Sequence, residues 1–187
     1  ANVEALAVAV FKGEKAASAE LKDLDKLTGG LIAEVMKAEE FKGDAGQTAL
    51  LRFVAKGTVK ATRLLLVGVG DKAEYKSHSV AALAGTATRY LRKRNVKSFA
   101  VMPRSGISAV EAAQQTVCGF ITSQFAIDKY KTKDKQTKTV NSLVVCIDGA
   151  KPADLKTGIS RGQAIGDSMN LTRDLANEPA NILPPAE

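Results

Sequence analysis

The sequence has no tryptophan, a single histidine and two cysteines, and each scarcity closes off a class of chemistry. Six phenylalanines and three tyrosines are the whole aromatic content, too few for the stacking platform on which single-stranded nucleic acid is gripped. Two cysteines and one histidine cannot furnish a Cys/His zinc cluster. Cys118 and Cys146 both sit in apolar surroundings and are read as small buried thiols of a reducing compartment, not as a disulfide. No apolar stretch approaches the roughly 18 residues of a membrane span. The opening run Leu6–Phe11 is short, follows an acidic residue and lacks a basic leader, so no secretory signal is read there. The expectation is a cytoplasmic protein without membrane contact.

What is present suits one ordinary domain. At 187 residues, 45% apolar and 25% charged, the chain should bury roughly 70% of its unfolded surface without a metal or disulfide. Lysine and arginine number 27 against 20 aspartates and glutamates, a net charge of +7. The surplus is local. Arg89, Arg92, Lys93, Arg94 and Lys97 crowd one segment, and Lys129, Lys131, Lys133, Lys135 and Lys138 another. Such runs are first of all solvated faces, with contact to phosphates as the functional alternative.

The hydrophobic pattern alternates strands and helices. Leu6–Phe11, Thr48–Val54, Arg63–Val69, Ser98–Met102 and Ser142–Ile147 read as strands. The second and third are separated by a short turn and should pair as a hairpin. Helical spacing runs from Ser18 to Leu27, where Gly29-Gly30 ends it, then from Leu31 to about Glu40. Ser77 to Arg94 follows, with Val80, Leu83, Ala84, Ala87 and Leu91 on its inner stripe. Ser108 and Glu111 form a capping box that starts a helix reaching about Phe125. Ile159 to Ala176 is helical by spacing, although Gly162 and Gly166 weaken it by about 1 kcal/mol each relative to alanine. Three prolines after Asn177 predict an extended linker. The fold class is α/β: a three-layer sandwich with a mixed, mainly parallel sheet between helices.

A search for reactive constellations finds candidates with simpler readings. Gly68-Val-Gly70 follows a strand but lacks the third glycine of a dinucleotide fingerprint, so it reads as a strand-ending turn. Pro103–Ser108 joins a strand to a helix N-terminus, where Arg104 could assist an anion; an ordinary loop with a capping Ser108 is the simpler account. His78 reads as a surface side chain. Asp23/Asp25 and Glu39/Glu40 stand beside lysines on solvated faces, which suits them better than acid–base catalysis. No catalytic, cofactor-binding or metal-ligating residue is assigned.

Several segments, in order, resemble the leucine aminopeptidase (cytosol aminopeptidase) family. They are Phe41-Lys-Gly-Asp-Ala-Gly-Gln-Thr48, Arg63–Gly70, Ala81–Leu91 and Phe125-Ala-Ile-Asp-Lys-Tyr-Lys131. The most specific is Gly166–Pro185, which is similar to the family's junction between N-terminal and catalytic domains. The resemblance implies a macro-domain-like accessory domain over 1–170. Residues 171–187 would then be the end of an interdomain helix and a Pro-rich linker. It further implies a C-terminal catalytic domain that binds two divalent metal ions, zinc or manganese, and releases N-terminal residues from peptides within a hexamer. The family's Asn-Thr-Asp-Ala-Glu-Gly-Arg motif does not occur in this sequence, so no metal role transfers to it. A basic nucleic-acid-binding module and a domain for an ADP-ribose-like ligand are the alternatives.

Overall fold

A computed structural model describes residues 2–54 and 61–182. Among them five strands form one sheet: β1 (Ala5–Val10), β2 (Thr48–Arg52), β3 (Arg63–Gly68), β4 (Ser98–Met102) and β5 (Ser142–Val145). Their spatial order is β2-β3-β1-β4-β5. β1 pairs in parallel with β3 and β4, and β4 with β5, while β2 runs antiparallel to β3. The expected pairing of β2 with β3 is present; the residues at 55–60 that join them lie outside the described residues. The sheet is mixed and mainly parallel, as read from the sequence.

The two-residue period of a strand sends alternate side chains to opposite faces. On β1 and β3, Ala5, Ala7, Ala9, Leu65 and Val67 face a layer that contributes Leu83, Ala87 and Leu91 from α3 (Ser77–Lys93). Val8, Val10, Leu64 and Leu66 face the other way. There they meet Leu21, Ile32 and Phe41, brought in around α1 (Lys22–Thr28) and α2 (Leu31–Lys37). Both faces of the central strands are therefore buried, which is why β1 reads as a continuous apolar run and not an alternating one. Gly29 and Gly30 both take left-handed angles between α1 and α2, as the helix stop required. The first helix starts later than its spacing suggested. Ser18–Leu21 forms a turn in which the Ser18 hydroxyl donates to Glu14, 2.7 Å away.

α4 (Ala109–Ser123) opens as expected, with the Ser108 side chain accepting from the Glu111 amide. α5 departs from expectation in its start. It runs Pro152–Ala176, with Pro152 in its first turn, where the missing N–H costs nothing. Gly158, Gly162 and Gly166 are its buried residues. A Cβ on Gly158 would lie 2.3 Å from the Val110 carbonyl oxygen, and one on Gly162 would lie 2.4 Å from that of Gln114. The spacing of four residues puts these glycines on one stripe that seats the α5 backbone against α4. Gly119 does the same for α4 on α3, since its Cβ would stand 2.3 Å from the Ala81 carbonyl oxygen. Glycines that weaken an isolated helix are here what lets three helices pack closely.

Gly162→Ala should therefore act against helix propensity. In an exposed helix it would add about 1 kcal/mol of stability; here overpacking should remove about 1–3 kcal/mol. Urea unfolding checks the sign, and a stabilised variant would contradict the close helix contact.

Candidate functional site

In open α/β sheets ligands bind outside the carboxyl ends of the strands, where the strand order reverses. Here that point lies at β1, with β3 on one side and β4 on the other. The loops that meet there are 11–15 after β1 and 103–108 after β4.

This crevice is filled by the protein itself. The Arg104 guanidinium is ion-paired to Glu14 and to Glu20, and its side chain is only 3% exposed. It stands 5.1 Å from the centre of the Phe11 ring, close enough for a cation–π contact. Phe11 in turn meets Tyr75 edge-on at 5.3 Å. The Arg104 amide donates to the Tyr75 hydroxyl at 3.0 Å, and burial pushes that phenol up from its usual range. Glu14 also accepts from the Phe11 amide at 3.0 Å. The Arg104 Nε is buried without a partner. Arg104, the residue that could have assisted an anion, is thus committed to two carboxylates.

The neighbouring turn is closed in a similar way. All three amides of Gly68-Val-Gly70 are spent on backbone: Gly68 donates to Gln47, Val69 to Val10 and Gly70 to Gly43. A Cβ on Gly68 would lie 2.1 Å from the Asp44 carbonyl oxygen. The glycine therefore serves close chain crossing, not a phosphate. Successive backbone amides that converge make a nest for an anion. The amides of Lys42, Gly43 and Asp44 do converge, but on the Gln47 Oε1, at 2.9, 3.0 and 3.3 Å. The nest holds a neutral side chain of its own loop.

One larger recess stays open beside the plug, a cavity of about 980 Å³ between the loops after β4 and β5. Ser105, Ile107, Cys146, Asp148, Lys151 and Asp154 are among its lining residues. Burial pushes the Cys146 thiol up, which lowers the thiolate fraction at neutral pH and with it nucleophilic use. Cys118 lies elsewhere, on α4 in the groove between α3 and α5, and its thiol is also pushed up by burial. Both thiols are free and only partly buried, less enclosed than their apolar neighbours in sequence suggested. His78 lines a third cavity, with Asp71 and Glu74. The histidine and the two cysteines are not brought together.

The carboxylate pairs have structural uses. Asp25 accepts from the Ala33 amide in the first turn of α2, at 3.0 Å. Glu39 pairs with Lys42 at 2.9 Å, which holds its carboxyl below the usual range. The two basic segments, distant in sequence, do meet. Lys138 donates to the Lys93 carbonyl at 3.1 Å and Lys97 to that of Thr139 at 3.4 Å.

Glu14, Glu20, Phe11, Tyr75 and Gln47 are the residues that a motif search missed. The two glutamates lie 90 and 84 residues from Arg104 in sequence, so no local pattern links them. Replacing Arg104 by methionine leaves both carboxylates without their cation. The expected loss is about 3–5 kcal/mol, read from chemical denaturation. A loss below about 1 kcal/mol would mean that the pairing is no more than a surface contact.

Residues 7–134 match the family model described as the cytosol aminopeptidase family, N-terminal domain. The chain is 33% identical over 184 residues to a probable cytosol aminopeptidase of Solibacter usitatus, covering 98% of this chain and 35% of that protein. It is 29% identical over 191 residues to one of Alkaliphilus metalliredigens, covering 99% of this chain and 38% of that protein. The chain thus spans little more than a third of the curated relatives it matches. Among solved structures, a tomato leucine aminopeptidase mutant superposes with a TM-score of 0.82 at 23% identity, over 98% of this chain and 37% of that one. The bottromycin maturation enzyme BotP, in complex with Mn, reaches 0.68 at 18% identity, over 98% and 34%. These two likenesses concern the fold. The chain belongs to the cytosol aminopeptidase family, and the part of that family it carries is the N-terminal domain.

Proposed function

We propose that this domain is the non-catalytic, accessory part of a longer, cytoplasmic metallo-aminopeptidase that releases N-terminal amino acids from peptides. In that reading residues 1–170 form the accessory domain. Residues 171–187 lead through the end of α5 into a catalytic domain, and the domain serves assembly of a hexamer and access to the active site. The observation that carries the proposal is the filled crevice. At the point where an α/β sheet ordinarily receives a ligand, Arg104 is held by Glu14 and Glu20.

Two-metal hydrolysis needs a clamp of ligands for both the attacking and the leaving atoms. Among the described residues no three His, Cys, Asp or Glu side chains converge as such a site requires, and Glu14 and Glu20 are already taken by a cation. The residues of this chain do not fit the two zinc or manganese ions of the family, so the proposal lodges both in the catalytic domain. The relatives' description as cytosol aminopeptidases supports the cytoplasmic assignment. Among the described residues no helix is long and apolar enough to cross a membrane.

The 187-residue chain alone should show no turnover of leucyl-p-nitroanilide with manganese or zinc, while the longer protein should be active. Turnover by the chain near the roughly 10 per second typical of enzymes would refute the accessory reading.

One observation favours a second role. The contacts of Lys138 and Lys97 merge the two basic segments into one surface. Lys93, Arg94, Lys133 and Lys135 there make no ion pair among the described residues. Such a surface suits a nucleic-acid backbone. A site that neutralises about four phosphates should lose roughly a hundredfold in affinity between 50 and 200 mM salt. Filter binding with duplex DNA tests this, and no binding at 50 mM would end the idea. The Pro103–Ser108 loop offers less to an ADP-ribose-like ligand, because its arginine is already committed.

A further inference from the structure

Two segments far apart in sequence touch each other where the chain leaves α5. One is the loop after α4, Phe125–Lys131. The other is the turn after α5, beginning at Asn177. The Lys129 ammonium and the Tyr130 hydroxyl both donate to the Glu178 carboxylate. Glu178 keeps only 9% of its side chain exposed, although the Lys129 side chain is 62% exposed. These bonds, that from Lys129 first and that from Tyr130 second, hold the Glu178 carboxyl below the usual carboxylate range.

The contact is the last of a series along one seam. The final turn of a helix leaves carbonyls short of intrahelical partners, and α5 side chains donate to two carbonyls at the end of α4. Asn170 donates to the Ile121 carbonyl at 3.2 Å, and Arg173 to that of Thr122 at 2.9 Å. The Arg173 guanidinium also lies 5.5 Å from the centre of the Phe125 ring. Beyond Ala176 the helix cannot continue, because Pro179 lacks an amide and its ring blocks the preceding turn. The chain turns instead, with Glu178 donating to the Leu175 carbonyl at 3.2 Å and Ile182 to that of Pro179 at 2.8 Å. Backbone alone leaves the direction of such a turn loosely set. A carboxylate tied to two donors on a separate loop sets it.

We propose that Glu178, held by Lys129 and Tyr130, is a positioning residue that fixes the direction in which the polypeptide leaves α5. The lock depends only on residues of this chain. Its use in orienting a catalytic domain rests on the function proposed above.

Hydrogen exchange of the 187-residue chain tests the lock apart from that function. Glu178→Gln weakens the acceptor, and Lys129→Met with Tyr130→Phe removes both donors. In each variant the backbone amides at positions 178 and 182 should exchange at least tenfold faster. Amides of β1 and β3 should keep their protection, and the thermal midpoint should stay unchanged. Unaltered exchange at positions 178 and 182 in both variants would overturn the proposal. Loss of protection throughout the sheet would also overturn it, because the contact would then serve global stability and not the exit of the chain. Failure of the isolated chain to hydrolyse peptides has no bearing on this result.

Discussion

The constraint on which the structure turns is the burial of the Arg104 charge at the carboxyl end of the parallel strands. A guanidinium 3% exposed needs compensation, because removing an ion from water costs several kcal/mol even after relaxation. Glu14 and Glu20 supply it, Phe11 lies under the guanidinium, and Tyr75 takes the amide. The loop after β1 and the loop after β4 are thereby bound to each other across the strand-order reversal. Such an arrangement need not be more stable than a well-packed apolar one. Its consequence is geometric: the place where a ligand would enter is occupied by groups of the chain.

The same economy recurs at the next turn. Three backbone amides that could cradle an anion converge on Gln47, and the glycines of the Gly68–Gly70 turn serve chain crossing. On the far layer, glycines on α4 and α5 bring helix backbones together. Arg104 and its carboxylates fill the reversal point, Arg104 and Glu20 also line the open recess beside it, and the helical layer is closely packed.

Much of the fold was legible in the sequence. The β1 run is apolar at every position because both faces are covered, and Ser98–Met102 and the Ser108 cap fall where pattern and capping chemistry put them. The errors have physical causes. α5 begins at Pro152, seven residues before its apolar spacing starts, because its contact face is glycine and glycine adds nothing to a hydrophobic pattern. The helix expected from Ser18 begins only at Lys22, because Ser18–Leu21 is a turn in which Ser18 bonds Glu14. The site was less legible than the fold. Arg104 stood out by its place before a helix, but its partners lie more than 80 residues away, and only the folded sheet brings them together. The meeting of Lys129 and Tyr130 with Glu178 was hidden for the same reason, although both segments carry the family resemblance.

The claim that the reversal point is internally filled can be tested most directly by titrating the ¹⁵N-labelled chain with pyrophosphate and following its amide signals. The account predicts that the amides of 11–15 and 104–108 do not move as pyrophosphate reaches millimolar concentration. Saturable shifts confined to those two loops, with a Kd below about 1 mM (roughly −4 kcal/mol), would show that the crevice is open to an anion and would contradict it.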